Sequence, residues 1–260
     1  MAVQEVLLVI VAGVGSFAAG LTVYRSGLPG YLVMLVLFPW FLPLELAIFT
    51  ASVVHFLDYL VKFSVIRYRA RPREVLLFGI LVLVGSWLGA NVFVDLKNYT
   101  DLVLFGSEMG VFKMVFTGIL IVSIMAEWAN DQGVLVRYRL PDVVAGLAIG
   151  VFSGFSGVFE SIKKQLYRPE GLTFVQLSAV TIVSSLFSDM ARLPVYLGLI
   201  FQTEREMTVN YLSLAAGMGS ALAVLSGIRY LREVRDEGFR RVNLWIFLVS
   251  ALGLLLRNFF

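Results

Sequence analysis

Apolar residues run along this chain in long stretches, at about 3–24, 44–66, 74–94, 111–129, 141–160, 172–199, 208–228 and 239–259, and short polar segments separate them. A helix needs roughly 20 apolar residues to cross a bilayer core. The period-two alternation of a membrane β-barrel strand is absent. The pattern therefore predicts an all-α polytopic membrane protein with about 8–10 membrane segments. Little chain remains for a soluble domain.

The polar segments order the helices. Lys and Arg gather in the short loops on the cytoplasmic side. The segment 67–73 carries Arg67, Arg69, Arg71 and Arg73, and 229–241 carries five arginines, so both are placed inside. The stretch 95–110, with Asp95, Lys97, Asp101 and Glu108, and the loop 202–207, with one arginine between two glutamates, are placed outside. The chain also overlays on itself. HFLD at 55–58 falls on LFSD at 186–189, GSWLGANVF at 85–93 on GMGSALAVL at 217–225, and VFKMVFTGILIVSIM at 111–125 on GFRRVNLWIFLVSAL at 238–252. The offset is nearly constant, and matched loops fall on opposite sides. This predicts two inverted-topology repeats, 1–130 and 131–260, an arrangement common in secondary transporters.

Inversion demands an odd number of crossings in each half, and four clean spans would break that rule. The conflict lies in the first element of each half. GVFSGFSGVFE at 150–160 reads as a place where a helix breaks and turns back, and GVGSFAAG at 13–20 is its counterpart. The first return arm is expected at 28–43, ended by Pro39 and Pro43. Broken or re-entrant helices here give about 3 or 5 crossings per half. Backbone of this kind survives at depth only under cover of protein or water.

Composition agrees with the pattern. The chain of 260 residues is 59% hydrophobic and 15% charged, with a mean hydropathy of +0.86, against about 25% charged in ordinary soluble domains. The absence of cysteine excludes thiol redox relays, haem attachment and zinc–thiolate sites. A single histidine, His55, leaves little for a transition metal, and no cofactor is expected. The net charge of +3 is accounted for by the basic loops and calls for no nucleic-acid partner. The N-terminal MAVQEVLLVI lacks a basic flank and reads as a retained span, not a cleaved signal peptide.

Charge inside the apolar runs carries the candidate chemistry, because ionisable groups at bilayer depth are costly and mark functional sites. In SDMARLPVYL at 188–197, Asp189 and Arg192 are spaced i, i+3 and can pair on one helix face. Pro194 removes a donor behind them and frees the Met190 carbonyl. At nearly the matching place in the first half stand Asp58 and Lys62, with His55 one turn before. One reading is two salt bridges that dock helices, with Lys62 reaching the basic end of its span. The other is a pair of cations, Arg192 and Lys62, that draw an anion to the repeat interface, with Asp189 and Asp58 holding them when the site is empty or carrying protons. The small-residue turns, Gly13, Gly15 and Ser16 in the first half and Ser153, Gly154, Ser156 and Gly157 in the second, would add backbone N–H donors and a positive helix end. Close helix packing through small-xxx-small spacing is the competing account of Gly146, Gly150 and Gly154, and of Gly85 and Gly89. GFSG at 154–157 matches an intramembrane serine-protease pattern, but the required base is limited to His55, upstream of it. An Asp58/Asp189 protease dyad is disfavoured because each carboxylate has its own nearby cation.

GVFSGFSG at 150–157, SDMARLPVYL at 188–197 and the long run 215–242 resemble the TauE/SafE sulfite exporter family of anion permeases, and the resemblance extends over nearly the whole chain. It implies two repeats, each opening on a glycine-rich turn, and transport of sulfite, organosulfonates or related sulfur anions. Where the family carries an apolar return arm, 157–171 here is polar. The expected protein is a plasma-membrane secondary transporter, an exporter of a small sulfur anion by alternating access, with a proton or sodium as possible coupling ion and the lipid bilayer as its surroundings. The alternatives are a carrier of another small anion such as a carboxylate, and a non-transporting scaffold that docks a partner through its basic loops. An enzyme is not expected.

Overall fold

The computed structural model describes residues 3–26, 30–66, 72–96, 102–104, 107–132, 141–156, 173–201, 211, 215–219, 222–223 and 237–257. It is helical throughout its body. The helices are α1 (Val3–Ser26), α2 (Gly30–Leu37), a 3-10 turn (Phe38–Trp40), α3 (Leu44–Ile66), α4 (Pro72–Asp95), α5 (Val111–Asp131), α6 (Asp142–Ser156), α7 (Phe174–Phe201) and α8 (Glu237–Arg257). Within the expected loop 95–110 lies a small antiparallel hairpin, β1 (Leu102–Leu104) on β2 (Ser107–Met109), with Val103 opposite Glu108. Among the described residues, four helices are long and apolar enough to span a bilayer: Leu44–Ser64, Leu76–Asp95, Val111–Ala129 and Glu237–Arg257. With 28 residues, α7 is about 42 Å long, which exceeds the roughly 30 Å hydrocarbon core.

Side-chain pairs set the helix directions. Gly146 meets Leu81, Gly150 meets Gly85, and Gly154 meets Ala90, so α4 and α6 run parallel. Gly79 meets Phe187, Ser86 meets Ser188 and Phe93 meets Tyr196, so α7 runs with them. His55 meets Asp189, while Phe63, two turns later, packs with Val180 and Val183, so α3 runs against α7. Trp128 stacks near Trp245, and Phe116 lies by Leu254, so α5 and α8 are antiparallel.

Glycine draws α4 and α6 together. A Cβ on Gly85 would stand 2.9 Å from the Gly150 Cα, and one on Gly150 would stand 2.8 Å from the Gly85 Cα. Backbone-to-backbone approach of this kind is how apolar helices gain contact where lipid supplies no hydrophobic drive.

Two short helices lie inside the bundle. The described part of α6 has 15 residues, about 22 Å, and reaches Ser156, inside the expected 141–160 stretch. The segment expected at 28–43 holds α2 and the 3-10 turn. Pro39 lacks an amide proton for the α-helical ladder, so the chain tightens. Phe41 and Leu42 both donate to the Phe38 carbonyl, and Pro43 then precedes α3. Tyr31 of α2 bonds to Ser52 in the middle of α3, so this part of α2 lies at the depth of mid-α3. Its core, Tyr31 to Val36, is buried.

The first-half turn is a correction. The expected break at 13–20 does not form, and α1 is one continuous helix through Gly13, Gly15 and Ser16. A Cβ on Gly13 would lie 3.3 Å from the Ala215 carbonyl, so this glycine serves close approach instead of a turn. The helical state keeps every backbone bond internal, which the bilayer demands. The polar stretch 157–171, the expected loop 202–207 and most of the span 208–228 lie outside the described residues.

Candidate functional site

The middle of the bundle holds a buried polar cluster built by five helices. Asp189 and Arg192 project from one face of α7, and the Arg192 Nη2 lies 2.5 Å from Asp189 Oδ1. Their side chains are 0% and 1% exposed. From α3, His55 Nδ1 sits 2.7 Å from Asp189 Oδ2. From α2, the Tyr31 ring lies 4.4 Å from the Arg192 guanidinium carbon, a cation–π contact. The Tyr31 hydroxyl is 2.9 Å from Ser52 Oγ. Ser86 on α4 donates to the Gly150 carbonyl at 3.1 Å and lies 2.8 Å from Ser188 Oγ.

The backbone of α6 explains why Arg192 belongs here. Arg192 Nη1 donates to the Ser153 carbonyl at 3.2 Å. The Tyr196 hydroxyl, one turn further along α7, donates to the Gly154 carbonyl. The cation and the phenol thus cap carbonyls in the last described turn of α6.

The capping leaves donors over. Among the described residues, Arg192 Nε and Ser153 Oγ are buried without a hydrogen-bond partner, as are Ser16 Oγ and Thr50 Oγ1. Each unmade bond costs about 1–3 kcal/mol, so a buried guanidinium with a spare donor calls for a function.

The expected site residues separate into groups. Arg192, Asp189, His55 and Ser153 come together, and Gly154 adds a carbonyl. Asp58 and Lys62 pair with each other at 2.5 Å, and the Lys62 side chain is 29% exposed, one turn from the end of α3. Lys62 lies 4.6 Å from the centre of the Tyr59 ring, whose other neighbour is the His55 imidazole at 4.3 Å. The two acid–base pairs are therefore unequal, one sealed and one near the loop end. Gly13, Gly15 and Ser16 stand along α1, Ser156 closes α6, and Gly157 lies outside the described residues.

Several participants escaped the sequence reading: Tyr31, Ser52, Ser86, Ser188 and Tyr196. Tyr31 carried one usable signal, a phenol in an otherwise apolar arm, since a buried Tyr hydroxyl needs a partner. A second buried ion pair was also missed. Arg240 was counted with the basic loop, but it lies in the first turn of α8 and reaches Glu127 of α5 at 2.9 Å.

Apolar spans around a buried cationic centre define a multi-pass membrane protein of the permease type. The chain belongs to the family described as Sulfite exporter TauE/SafE, whose model matches residues 8–254. No curated protein and no solved structure matches it. The family is one of membrane exporters of sulfite and related anions.

Proposed function

We propose that this chain is a plasma-membrane secondary transporter that exports a small sulfur-containing anion, sulfite or a short organosulfonate, by alternating access. The observation that carries the reading is the pair of spare donors, Arg192 Nε and Ser153 Oγ, both buried and unpartnered among the described residues, on side chains whose residues meet through the Ser153 carbonyl. A sulfonate or sulfite oxygen is the complement of such donors, and guanidinium is the side chain suited to bidentate oxyanion binding. Asp189 holds Arg192 while the site is empty.

In this reading the halves 1–130 and 131–260 are the two inverted repeats. The antiparallel course of α3 against α7 and of α5 against α8 supports this, since each pair is matched in the sequence. The burial of Asp189 and Arg192 is read as an occluded state, from which rocking of one half against the other opens one face. Lys62 lies toward the 67–73 loop and acts as an outlying cation on the route, not as a second ligand beside Arg192.

The test is flux from proteoliposomes loaded with labelled sulfite, run beside a short organosulfonate, sulfate and acetate. Saturable flux of the sulfur anions, lost in Arg192→Ala protein that remains monodisperse, is the expected result. Folded protein that moves none of the anions would return the cluster to a purely structural role. Preference for acetate would replace the substrate class.

A further inference from the structure

Charge balance at the sealed centre leads one step further, and this inference rests on the transport reading above. The Arg192 guanidinium and the Asp189 carboxylate cancel. When an anion binds at the spare donors of Arg192, the centre carries one uncompensated negative charge in a space without solvent. Burying an unbalanced charge is prohibitive, so a positive charge must arrive with it. Arg192 is already charged and Asp189 is already spoken for by a cation. Among the described residues, the remaining titratable groups within the cluster are Tyr31, Tyr196 and His55, and the phenols have no positive form. Imidazole gains positive charge in the physiological range.

The position of His55 fits that task. Its Nδ1 faces Asp189 Oδ2 at 2.7 Å, so the imidazole and the guanidinium share one carboxylate. The groups facing it include Asp189 from α7, with Arg192 behind, the edge of Tyr31 from α2 at 5.1 Å between ring centres, and Tyr59 on its own helix. Beyond Tyr59 stand Lys62 and Asp58, toward the 67–73 loop. We propose that His55, seated on Asp189, takes up one proton for each monovalent anion bound at Arg192, so that the carrier moves anion and proton together without net charge. The proton comes from water on the side where the anion enters. It resides on the imidazole while both are enclosed, and returns to water on the other side as the anion leaves. Without the anion, imidazolium, guanidinium and a single carboxylate would leave a net positive centre, so the proton and the anion stabilise each other's binding.

The experiment uses the full chain in proteoliposomes and a short alkanesulfonate, which stays monovalent at every pH used. The membrane potential is clamped, and a trapped dye reports the lumen pH. Two assays run in parallel: exchange of labelled for unlabelled sulfonate at equal pH, and accumulation driven by a pH gradient. Wild-type protein should exchange, and about one pH unit should accumulate sulfonate about tenfold. Downhill entry of sulfonate should acidify the lumen at one proton per anion. His55→Gln, which stays polar but cannot be protonated, should lose pH-driven accumulation and dye response.

Wild-type exchange without any proton movement would overturn this inference and leave the transport reading in place, and that arm does not depend on the variant folding. Full pH-driven accumulation by His55→Gln would likewise overturn it. Absence of wild-type exchange would overturn the transport reading and this inference together.

Discussion

Replacement of Arg192 by alanine separates binding from architecture, provided that it is measured beside a second variant. The guanidinium has two partners at the centre, Asp189 at 2.5 Å and the Ser153 carbonyl at 3.2 Å. Loss of one member of a buried ion pair costs about 3–5 kcal/mol, most of it from the charge left behind. The orphaned carbonyl at the end of α6 adds about 1–3 kcal/mol, partly offset because His55 still faces the carboxylate. A net loss of roughly 3–5 kcal/mol is expected. At about 2–4 °C per kcal/mol for a chain of this size, that is a fall of roughly 6–20 °C in melting temperature. Asp189→Asn combined with Arg192→Gln removes both charges and keeps polar groups in place, so its stability should return to within about 2 kcal/mol of wild type. Transport should be absent from both variants. The assay is the loss of the monodisperse peak on heating in detergent, paired with sulfite flux from vesicles. The reasoning fails if the double variant melts as low as Arg192→Ala, which would mean that the charge left behind is not the source of the loss. It also fails if the stable double variant still transports, because the cation would then be a cap for α6 and nothing more.

Gly85→Ala places a Cβ 2.9 Å from the Gly150 Cα, against backbone that cannot yield, and should cost about 1–3 kcal/mol by the same melting assay. Gly118→Ala has no atom within 4 Å and should be close to neutral. Glu127→Gln leaves Arg240 buried beside a neutral partner and should lower the melting temperature. Glu127→Gln with Arg240→Gln should recover much of that loss, which a double-mutant cycle would read as a coupling energy of about 0.5–3 kcal/mol. Lys62→Ala breaks a partly exposed pair and should change stability by no more than about 1 kcal/mol. Its effect on flux should be a higher half-saturating concentration with maximal rate retained, whereas Arg192→Ala abolishes flux.

The bilayer acts on a chain in one dimension, by length and polarity, and what depends on those alone was readable in order. The spans α3, α4, α5 and α8 fall on apolar runs found by inspection, because each must be about 20 residues long and must close its own hydrogen bonds. Asp189 and Arg192 stood out for the same reason, as charges too costly to be incidental at that depth. The proline-ended return arm was legible as well, since Pro39 and Pro43 exclude a continuing helix whatever surrounds them.

Glycine was ambiguous, because the same residue permits a turn and permits close approach. Only the neighbouring backbone decided that Gly13 lies in an unbroken α1 against Ala215 and that Gly150 locks α6 to Gly85. The two acid–base pairs looked equivalent in the sequence, and their burial depends on what packs beside them. Lys62 is near a helix end with room to reach out, while Arg192 faces the backbone of α6. His55 meets Asp189 across 134 residues of chain, and Tyr31 of α2 meets His55 and Arg192. Contacts of that separation follow from the packing of whole helices, and no local pattern of residue types encodes them.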